Sequence, residues 1–245
     1  MDAAARKVGT VRRVFQQELC VNGLALFQCL IASAALVGVP SAAAPAPTTW
    51  DGLVQLKSKR LDLVYLQPGA DFRGYTKVMI DPTEVAFEKN WKRDYNRTTR
   101  SLSGRISDSD MQRAITDGVT AATDIFSDAW TKAGYSVVTT PGPDVLRVRT
   151  GVLNIRVSAP DKMTPGRSMT FAEQAGSATL IVEARDSLTN ALLGRAVDGK
   201  VVGDTLVRWR TSSSNRADFR AVVQEWAAAT VRGMSELKSR SPIQP

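Results

Sequence analysis

The sequence predicts an α+β domain in two layers: a mostly antiparallel sheet with two long helices packed on one of its faces. Three observations carry this. Apolar residues recur at steps of three and four from Met111 to Trp130 and again from Phe219 to Leu237, the mark of two amphipathic helices. Short β-rich runs bounded by turn residues fill much of the remainder. The order strand, helix, strand, long strand, hairpin, helix favours helices gathered on one side of a largely antiparallel sheet.

The chain opens with Arg6, Lys7, Arg12 and Arg13, continues with an apolar run from Leu24 to Val39, and closes on the small residues Ser41 to Ala44. Charge, apolar core and small residues in that order predict an export signal over residues 1–43, cleaved after Ala43. The run of about 16 residues is short of the ~20 that span a bilayer, so an uncleaved anchor is the lesser alternative. Arg12-Arg13-Val14-Phe15 resembles a twin-arginine export motif, although an ordinary basic start is the preferred reading of the same residues. Leu36-Val37-Gly38-Val39 is similar to a lipoprotein box in which Val39 replaces the acylated cysteine.

Residues 44–74 are expected to be a Pro-rich tether followed by an irregular segment, with a short strand allowed around Leu61 to Tyr65. A single α+β domain is expected over residues 75–240 and a tail over 241–245. Lys77 to Ile80 is expected to be a buried strand stopped by Asp81-Pro82, with Val85, Phe87 and Trp91 continuing it on the far side. Residues 88–105, rich in Lys and Arg, are expected to form an exposed, mobile loop. Ser107 is a helix cap, Asp108 and Asp110 suit the positive end of the helix dipole, and Gly134 terminates a helix over about 108–133.

Tyr135 to Val138 reads as a strand. Residues 145–157 form a long one, with Leu146, Val148 and Val152 on one face and Arg147 and Arg149 on the other. Ile155 and Val157 reverse that parity, and a bulge near Gly151 is expected to absorb the shift. Residues 158–174 read as a long loop. Two strands, Ser177–Arg185 and Leu192–Val202, are joined by a turn over Asp186 to Asn190. After a polar, basic stretch from Thr205 to Ser214, the last helix is expected from Arg216 to Lys238.

Composition narrows the chemistry. The chain of 245 residues has 32 Lys and Arg, 24 Asp and Glu, a net charge of +8, and no histidine. Its two cysteines, Cys20 and Cys29, fall in the expected signal. The mature chain is then without thiols or imidazoles. That excludes disulfides, Ser-His-Asp and Cys-His catalysis, and metal sites built on His or Cys. No cofactor motif stands out, and no cofactor or metal is expected. The basic balance suits anionic surfaces of an envelope rather than nucleic acid, and the mature chain is not expected to span a membrane.

Several stretches together resemble one family. They are Tyr75-Thr76-Lys77-Val78-Met79-Ile80-Asp81-Pro82, Pro141-Gly142-Pro143-Asp144 through Arg149, Gly176-Ser177-Ala178-Thr179 through Asp186-Ser187-Leu188-Thr189-Asn190-Ala191-Leu192-Leu193, and the helix around Trp226. In order and spacing they are similar to the bacterial envelope proteins grouped as domain of unknown function 3313 (DUF3313), many of which are lipoproteins. The resemblance implies an exported, envelope-located protein and supplies no catalytic residues.

Local motifs each have a structural reading beside the functional one. Asp108-Ser109-Asp110 offers oxygen ligands but also opens a helix. Ser235 and Lys238 have the spacing of a Ser-Lys dyad without its partner motifs. Asp81 stands at a strand end. The candidate surface for a partner is the basic segment with Lys89, Trp91, Lys92, Arg93, Tyr95, Arg97 and Arg100, where aromatic rings stand among cations. Three functions follow as expectations. The first is a non-enzymatic binding or scaffolding protein that contacts an envelope partner or anionic surface. The second is a carboxylate-dependent enzyme acting on glycans. The third is a periplasmic carrier with an apolar pocket between sheet and helices.

Overall fold

A computed structural model describes residues 48–100, 102–157, 170–172, 176–202, 208–210 and 212–244. Residues Thr48–Pro245 form one compact unit. The expected export segment, residues 44–47 of the tether, and most of the expected 158–174 loop lie outside the described residues.

The strands are β1 (Thr49–Trp50), β2 (Leu53–Leu56), β3 (Leu63–Leu66), β4 (Lys77–Ile80), β5 (Glu84–Phe87), β6 (Ser136–Val137), β7 (Val145–Val157), β8 (Thr170–Ala172), β9 (Gly176–Asp186), β10 (Leu192–Val202) and β11 (Arg208–Arg210). The helices are α1 (Trp91–Thr98), α2 (Asp108–Lys132) and α3 (Ser212–Arg240). Nine strands form one sheet in the order β1-β2-β3-β10-β9-β7-β4-β6, with β5 also paired to β7. β4 and β5 run parallel to β7, and β6 parallel to β4; the other pairs in the sheet are antiparallel. β8 and β11 pair separately. The predicted α+β class, with both long helices on one face, is the observed one.

Alternation along the central strands makes that face. Leu146, Val148 and Val152 of β7 and Ala178, Leu180 and Val182 of β9 point to the helices. There they meet Ala122, Ile125, Phe126 and Trp130 of α2 and Val223, Trp226, Ala227 and Met234 of α3. On the opposite face Leu53, Leu63, Tyr65, Ile181 and Val197 are also buried, beside an ion-pair network. Glu183 on β9 is 0% exposed and accepts from Arg195 Nε and Nη2 at 2.9 and 2.7 Å, and from Arg185 Nε at 2.9 Å. Arg195 also donates to Asp51 at 2.7 Å and lies 4.3 Å from the Trp50 ring centroid.

Six expectations are corrected. The segment before residue 75 is not irregular: β1 and β2 form a hairpin through Asp51 (φ 53°) and Gly52 (φ 79°), a two-residue turn with both central residues left-handed. Within the expected 88–105 loop, Trp91–Thr98 is instead the helix α1, with Trp91 and Tyr95 one turn apart on its inner side. The bulge on β7 falls between Leu153 and Arg156, where Asn154 has φ 53°, rather than at Gly151. Asparagine tolerates that conformation better than most residues. Within the expected 158–174 loop, Thr170–Ala172 is a strand, and α3 starts at Ser212 rather than Arg216. Finally, the expected 241–245 tail is packed on the domain at Ile243. Ile243 is 5% exposed, its N–H donates to Ala70 O at 2.9 Å, and its carbonyl accepts from Gly69 N at 2.8 Å.

Candidate functional site

An apolar cleft of about 330 Å³ lies between the N-terminal halves of α2 and α3 and the sheet below them. That volume is at the lower end of the ~300–1,000 Å³ typical of small-molecule sites. Its floor is Val85 and Phe87 of β5 with Val152, Ile155 and Val157 of β7. The bulge at Asn154 matters here: it returns Ile155 and Val157 to the helix side, which extends the apolar floor past the regular part of β7.

One wall is α2. Met111, Ala114, Gly118 and Ala121 face the cleft at helical spacing, and the small volume of the last three leaves the space open. Gly118 permits the close approach of α2 to the floor, since a Cβ there would lie 3.2 Å from Val85 Cγ1. Farther along α2, Ile125, Phe126 and Trp130 are buried and close the layer. The other wall is α3, which contributes Asn215, Arg216, Phe219, Arg220 and Val223.

Trp91 of α1 and Ile106 complete the lining. Trp91 stacks on Phe87 with centroids 4.8 Å apart, and Tyr95 lies against Trp91 at 5.7 Å. Asn96 clamps Ile106 from both sides: its amide donates to Ile106 O at 2.9 Å, and its carbonyl accepts from Ile106 N at 2.8 Å. Next to it Ser107 caps α2. Ser107 Oγ accepts from Asp110 N at 3.1 Å, and Asp110 accepts from Ser107 N at 2.9 Å. The Ser107 hydroxyl, its N–H and then the Arg113 guanidinium hold the Asp110 carboxyl below its ordinary value.

The predicted surface residues divide between two roles. Trp91 is buried in the cleft wall and Tyr95 is half-buried against it, while Lys89, Arg93, Arg97 and Arg100 are exposed. Lys92 pairs with Asp108, and Arg93 with Asp94. The rings and cations therefore do not share one surface. Asp81 is held in ion pairs with Arg147 and Arg149. Ser235 Oγ donates to Val231 O, and Lys238 lies 4.6 Å from the Tyr135 ring centroid, so the two do not form a dyad. Among the described residues no cluster of His, Cys, Asp or Glu could hold a metal ion, and no helix is long and apolar enough to cross a membrane. Sequence reasoning missed the cleft walls; the small residues of α2 at positions 114, 118 and 121 were the available signal.

A family model for a protein of unknown function, DUF3313, matches residues 48–230. The chain belongs to the DUF3313 family. The match begins at β1 and runs into the second half of α3, so it takes in every residue that lines the cleft of this DUF3313 protein. None of the curated proteins compared matches it. Among solved structures, a PelC dodecamer from Paraburkholderia phytofirmans is similar over 68% of this chain and 96% of its own, at 12% identity and TM-score 0.30. A Xanthomonas campestris protein of family DUF330 is similar over 71% and 91%, at 10% identity and TM-score 0.38. A minor lipoprotein from Acinetobacter baumannii is similar over 66% and 94%, at 12% identity and TM-score 0.29. At these scores the likeness carries no shared role.

Proposed function

We propose that this DUF3313 protein is an exported, non-enzymatic binding protein of the bacterial envelope that holds an apolar ligand between its helices and its sheet. The observation that carries this reading is the cleft itself. It is lined by Met, Val, Ile, Phe, Trp and Ala side chains, yet it is left unfilled by the residues that form it. The lining residues on α2 run from Asp110 to Ile125, about 22 Å of helix at ~1.5 Å per residue. The cleft is thus long for its volume and suits a chain-like ligand. The basic, apolar, small-residue order of residues 1–43 supports export.

Native mass spectrometry of the purified chain tests the reading, together with displacement of a fluorescent apolar probe. Copurified apolar compounds, and probe binding that Ala114→Trp abolishes, are expected. Ala114 lines the cleft and is exposed, so a bulky side chain there blocks the space without entering the core. If no compound copurifies and no apolar probe binds, the cleft has no ligand and the reading fails.

The outward cations of α1 and its flanks favour a second reading, contact with an anionic envelope surface or partner. Lys89, Arg93, Arg97 and Arg100 are all exposed. Cosedimentation with anionic vesicles that weakens as salt rises is the expected result. Salt-independent or absent sedimentation rejects it.

A further inference from the structure

We infer that the ligand of the cleft is a single-chain amphiphile with an anionic head, and that Arg220 receives the head. This inference rests on the reading of the cleft as an apolar-ligand site. Among the described residues, four charged side chains line the cleft: Asp110 and Asp117 on α2, Arg216 and Arg220 on α3. Asp110 is already engaged by Ser107 and Arg113. Its charge is therefore balanced from its own helix.

Arg220 is exposed at the cleft, and among the described residues no carboxylate lies within ion-pair distance of it. It stands one helical turn from Arg216, and both flank Phe219, which lines the apolar part. A cation beside a long apolar trough is complementary to a carboxylate or phosphate head on an acyl chain, because Arg presents a planar fork to oxygen anions. A neutral polar head would gain only an ordinary hydrogen bond from Arg220, and a cationic head would be repelled by it.

Binding of palmitate and of hexadecanol to the full chain tests the inference by calorimetry or probe displacement. The two ligands differ only in the head. Palmitate is expected to bind about tenfold tighter, as a charge-assisted hydrogen bond implies. Arg220→Gln is expected to weaken palmitate by about tenfold and hexadecanol by less, which removes the advantage of the acid, while Asp117→Asn strengthens palmitate. Both positions are exposed, and an unchanged thermal midpoint verifies that the variants fold. Equal affinity for the two ligands, or a palmitate affinity indifferent to Arg220→Gln, overturns the anionic-head inference and leaves the apolar-ligand reading standing. If neither ligand binds and no apolar probe binds, the underlying reading falls as well.

Discussion

Glu183 is a carboxylate with 0% exposure in a protein without histidine, and the structure gives it a purpose in the fold. Arg195 and Arg185 both bind it, and Arg195 extends the network to Asp51 and Trp50. Removing one partner of a buried pair strands the other. Glu183→Ala is therefore expected to cost about 3–5 kcal/mol in chemical denaturation. Replacing Glu183 and Arg195 together by apolar residues should cost much less than the two single changes combined. Asp198 behaves differently. Burial pushes its carboxyl up from 3.8, against the opposing hydrogen bond from Trp226 Nε1 at 2.8 Å. A carboxyl raised in the folded state adds stability that is complete below 3.8 and is lost as pH climbs through the raised value. The wild type should thus gain stability over Asp198→Asn on acidification, which urea unfolding across that pH range checks. Neither carboxylate could be assigned a role from sequence, because partners 12 and 28 positions away meet only in the sheet and across the layer.

Among the elements, α2 was the most legible. Its cap, its first-turn acids, its apolar period and its final glycine all agree with the helix observed over Asp108–Lys132. Ser107→Ala is expected to lower stability by about 1 kcal/mol, measured by thermal unfolding. Asp110 is held below 3.8, so its contribution is present above that pH and is lost as pH falls through the lower folded value. The deficit of Asp110→Asn should accordingly shrink in acid. α1 is harder to see because its cations read as a charge run, although Trp91 and Tyr95 have helical spacing. The β1–β2 hairpin escaped the sequence reading although Asp51-Gly52 is a strong two-residue turn signal. The parity reversal in β7 is legible in Ile155 and Val157, but its place is not. Gly151 lies beside the change of alternation, and Asn154 takes the left-handed conformation.

At the scale of the molecule, the sheet joins distant parts of the chain. β3 pairs with β10, and residues 69–70 pair with Ile243. Residues 48–245 expressed alone are expected to unfold cooperatively with the thermal midpoint of the longer chain. Loss of cooperativity would show that the compact unit needs residues 1–47. Ile243→Ala should cost about 2–5 kcal/mol, since the side chain is 5% exposed within the core. A cost near zero would mean that the C-terminal residues rest on the domain without supporting it.

Local order determined much of this protein by itself. The periods of α2 and α3, the alternation of β7, β9 and β10, and the missing histidine are properties of the chain alone, and they suffice for the α+β class and for the exclusion of histidine-based catalysis. The cleft is of another kind. It exists because α2 presents small side chains where α3 and the bulged end of β7 converge, and those walls come from positions 85–91, 106–125, 152–157 and 215–223. No local pattern encodes an unfilled space. Only the packing of helices on the sheet decides where volume is left over and which charges border it.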